Sequence, residues 1–142
     1  RLAEKFEPDF VAYFIFARSA GAWLRAGTMG TFEEILQKAA EATLRRIPSA
    51  PSNITSYRTI HERIFQKPMD ETQKDTLIRA SAPVYHDSAI NDIARASSRL
   101  RNEHIVGEVW RYWKVGYSIF ILFGTAHAVI KEQALREMVG KE

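Results

Sequence analysis

Apolar residues recur at helical spacing along most of the chain, and the pattern changes only near its end. Phe10, Tyr13, Phe14, Ala17, Ala20 and Leu24 follow a 3.6-residue period after Pro8 and Asp9, so a helix is expected there, closing at Gly27 and Gly30. The local string "VAYFIFA" also suits a strand, but the length of the periodic stretch favours helix. Thr31 stands three residues before Glu34, the spacing of an N-terminal capping box. The helix it opens carries Phe32, Ile35, Leu36, Ala39 and Leu44 and ends at Pro48, before the loop "PSAPSN".

Residues 56–65 read as a short helix with Tyr57, Ile60 and Ile64 turned inward, broken by Pro68. Asp70 can cap a further short helix reaching Ile78, and Ser81 and Pro83 punctuate again. From Ser88 to Lys114 there is no proline, so one helix about 40 Å long is expected at 1.5 Å per residue. Val106, Val109, Trp110 and Trp113 form its clearest apolar stripe, and Gly116 and Tyr117 end it.

Residues 117–123, "YSIFILF", break the helical pattern. An apolar run without polar alternation predicts a strand buried on both faces, as in parallel α/β sheets. Gly124 supplies a turn, Thr125 a cap, and "HAVIKEQALREMVG" a helix with Ile130, Ala134 and Met138 on one side and Gly140 as its stop. The expected fold is therefore mostly α: several helices in one helical-rich domain over residues 1–142, ending in a strand–turn–helix unit. Such a strand needs neighbours, and only residues 11–17 compete for that role. The chain then reads as the C-terminal part of a larger α/β fold, or as one that finds its partner strands in another copy.

Composition narrows the functional classes. The 142 residues hold no cysteine, which excludes a disulfide scaffold and thiolate metal sites without settling the compartment. No apolar run reaches the roughly 20 residues of a membrane helix, so no membrane association is expected. The opening "RLAEKFEPDF" has neither an initiator methionine nor a signal-type apolar core, so the natural N-terminus is expected elsewhere. Twenty Lys and Arg against 17 Asp and Glu give a net charge of +3, interspersed rather than clustered, and no nucleic-acid partner is expected. P-loop, dinucleotide and G-x-S-x-G patterns are all missing.

Candidate chemistry centres on His127. It falls after the apolar run, where ligands of open α/β sheets gather beyond the strand ends. In the first turn of a helix the macrodipole disfavours imidazolium, leaving the neutral ring that binds a metal or acts as a general base. Arg101, His104 and Glu108, at i, i+3 and i+7, share a helix face that could turn toward the same cleft or toward solvent. His61 and Glu62 are adjacent on a helix, about 100° apart, and cannot form one ligand pair. Asp87 or Ser88 is better placed to cap the long helix than to bind a ligand. Trp110 and Trp113, flanked by Arg111 and Lys114, read as core residues before they read as base-stacking platforms.

Arg101-Asn102-Glu103-His104-Ile105, followed by "IFILF" and then Gly124-Thr125-Ala126-His127, carries a resemblance. Residues 98–139 resemble the C-terminal motif block of the TraB/Tiki-like hydrolase superfamily, which also takes in erythromycin-esterase-like and ChaN-like proteins. The resemblance implies an active-site role for His127, as base or as ligand of a divalent metal, with Arg101 as its charged partner. The superfamily's early Glu/His pair has no counterpart in residues 1–97, so half a site is implied, inactive alone. The alternative is a non-catalytic helical interaction or oligomerisation module in which His127 is structural.

Overall fold

Pro8 occupies the first turn of α1 (Pro8–Ala26), where its missing N–H would have had no intrahelical partner. Gly27 ends the helix in the left-handed conformation, φ 65°, with its N–H on the Trp23 carbonyl. The structure is a computed structural model and describes residues 2–27, 30–121, 132, 136 and 137. Its described residues fall into two compact units, Arg1–Ser97 and Ser98–Glu142.

In the first unit α1 is the central element. Tyr13, Phe14, Phe16, Ala17, Ala20 and Gly21 are all buried, a wider arc than the one-sided stripe of a surface helix. Helices α2 (Phe32–Arg46), α3 (Ile54–Phe65) and α4 (Lys74–Ala80) pack against it. Thr31 and Glu34 close the expected capping box at the start of α2. Asn53 caps α3 by accepting from the Ser56 N–H at 2.9 Å. Asp70 caps a single 3-10 turn, Glu71–Gln73, which feeds directly into α4.

Close approach decides the residue at Gly21. A Cβ there would stand 3.2 Å from the Ile78 Cα and 3.4 Å from the Leu77 carbonyl oxygen, both backbone atoms that cannot swing aside. α1 and α4 therefore lie nearly backbone to backbone at this level. The core between the helices is aromatic: Phe16 stacks on Tyr57 with centroids 4.2 Å apart and planes 7° from parallel. Ile90, Ile93 and Ala94, from the first turns of α5 (Ala89–Lys114), complete this core.

In the second unit α5 continues to Lys114, and Gly116 follows with φ 85°. The expected buried strand is corrected over residues 117–121. They form no ladder; Tyr117 is 62% and Phe120 92% exposed. A strand is stabilised by its neighbours' hydrogen bonds, and no strand occurs among the described residues to provide them. Leu122, Phe123, the turn at Gly124 and Thr125, and the helix proposed from His127 fall mostly outside the described residues, so the strand–turn–helix unit and the wider α/β sheet are not seen.

Candidate functional site

The helical geometry of α5 places Arg101, His104 and Glu108 on one stripe, as their spacing requires. Arg101 and His104 are exposed and Glu108 is half-buried. Glu108 is already engaged: its carboxylate accepts from the Arg111 guanidinium at 2.6 Å, and that bond raises the arginine's pKa. Beside Arg101, the side-chain oxygen of Asn102 is shielded from solvent with no hydrogen-bond partner. His127, the residue on which the catalytic and metal-binding expectations rest, lies outside the described residues. Among the described residues no cluster of three or more His, Cys, Asp or Glu could hold a metal ion.

Other residues singled out by sequence have structural roles. Asp87 pairs with Arg79 at 2.7 Å. Ser88 immediately precedes α5, and its N–H donates to the Asn91 side-chain oxygen at 3.1 Å, so the cap forms with the donor on Ser88. Asn91 is fully buried, and the two hydrogens of its amide nitrogen are shared among the carbonyls of Arg79, Ala80 and Ala82, at 2.9, 3.1 and 3.0 Å. One side chain thus ties the end of α4 and the turn after it to the start of α5, satisfying carbonyls that helix termination leaves open. Trp110 and Trp113 are half-buried, and the Lys114 ammonium sits 4.6 Å from the Trp110 ring centroid.

His61 is a strongly perturbed polar residue of the first unit. It is fully buried, while its neighbour Glu62 is exposed, as their 100° separation on α3 demands. Tyr13 Oη lies 2.6 Å from His61 Nδ1. If the phenol donates, its proton is used and only the Nε2–H is left without a partner; the opposite polarity strands two groups. The donating phenol is therefore the favoured arrangement, with the imidazole proton on Nε2. Burial lowers the His61 pKa from 6.5 to about 4, the Asp70 carboxylate pulling the other way. Burial likewise pushes the Tyr13 phenol well above its ordinary value. A neutral imidazole bonded to a tyrosine resembles a general-base pair, but both residues have no exposed surface to offer a substrate. Tyr13 and His61 are a polar strut between α1 and α3.

The signal for this strut was present in the sequence. His61 follows Tyr57 by four residues and shares the inward side of α3 with Tyr57, Ile60 and Ile64. A cleft of about 370 Å³ opens nearby, lined by Ile64, Phe65, Lys67 and Asp75 among others. Two of its charged walls, Arg79 and Asp87, are neutralised by each other.

No family model, curated protein or solved structure matches this chain.

Proposed function

We propose that residues 98–139 supply part of a hydrolase-type active site belonging to a larger α/β protein. In this reading His127 is the general base or a divalent-metal ligand, and Arg101 is the charged group beside it. The observation that carries the reading is the order and spacing of Arg101-Asn102-x-x-Ile105, the apolar run and Gly124-x-x-His127. The exposure of Tyr117 and Phe120 supports it, because a sheet built from further strands would cover such side chains. Arg101 is exposed, as a residue that meets a ligand must be.

A second reading draws on the same exposure. Val115, Tyr117 and Phe120 are large apolar side chains left exposed, the kind that mediates self-association, with His127 a structural residue in this reading. The full-length protein separates the two. Under the first reading, His127→Ala abolishes turnover of an ester and amide panel, and divalent-metal binding if a metal is used, while the melting temperature moves by no more than a surface substitution's worth. Activity retained in that variant, together with a concentration-dependent dimer that Phe120→Ser disperses, establishes the interaction module instead.

A further inference from the structure

We draw no further inference here: the strongest candidate, the run of exposed apolar side chains after α5 (Val115, Tyr117 and Phe120), already serves both readings of the proposed function, and nothing in the structure shows what covers it.

Discussion

Two sets of aromatic residues, similar in chemistry, meet opposite fates. Tyr13, Phe16 and Tyr57 have no exposed surface, whereas Tyr112, Tyr117 and Phe120 are exposed. The first set lies on helices whose other turns also bring apolar residues to the same side, so each ring finds a wall on a neighbouring helix. In the second set Tyr112 lies in the last turn of α5, and Tyr117 and Phe120 follow its end in a segment with no strand beside it among the described residues. Hydrophobicity sets the tendency to be buried; only a partner surface of matching geometry realises it.

The largest effect that would break this contrast is in the core. Phe16→Ala removes a ring stacked on Tyr57 and should destabilise the protein by about 3–5 kcal/mol. Chemical denaturation followed by circular dichroism measures it. A loss under about 1 kcal/mol would mean that the buried aromatic cluster is not what holds the first unit together.

The polar strut inside the same core gives a smaller, pH-dependent effect. His61 has a folded pKa of about 4 against 6.5 for an unperturbed ring, so the unfolded state binds the extra proton between those values. Its stability contribution is complete above pH 6.5 and is lost as pH falls toward 4. The loss is at most about 3 kcal/mol, from the size of that shift. His61→Leu should flatten this part of the stability–pH profile. An unchanged profile in the variant would place the imidazole in contact with solvent.

The smallest effect sharpens the other side of the comparison. Phe120→Ser should change unfolding stability by less than about 0.5 kcal/mol, since the ring is 92% exposed and loses little by removal. The same substitution should reduce binding of a hydrophobic dye to the isolated chain. A destabilisation rivalling that of Phe16→Ala would show that Phe120 is covered in solution, by a partner or by another copy.

Much of the first unit was legible from spacing and punctuation. The α1, α2 and α5 boundaries follow Pro8, Gly27, the Thr31–Glu34 box and the proline-free run after Ser88 to within a residue or two. α4 starts later than expected because Asp70 caps a 3-10 turn before it. The Arg101, His104 and Glu108 stripe was also readable, since helical periodicity alone sets which side chains share a face. Its chemistry was not: Glu108 is taken up by Arg111, three residues along the same helix.

Local propensity, capping and periodicity are properties of neighbouring residues, so the sequence by itself determined the helices, their ends and the side of α3 that turns inward. Whether a face is covered depends on residues far apart in the chain. The tertiary structure alone decided that His61 meets Tyr13 across 48 positions, that Gly21 must leave room for the backbone of α4, and that Asn91 bridges three carbonyls upstream of its own helix. It also decided that Tyr117 and Phe120 of "YSIFI", a stretch apolar enough for a sheet interior, stand exposed. A strand is defined by hydrogen bonds to other strands, and no run of residues can specify those bonds without them.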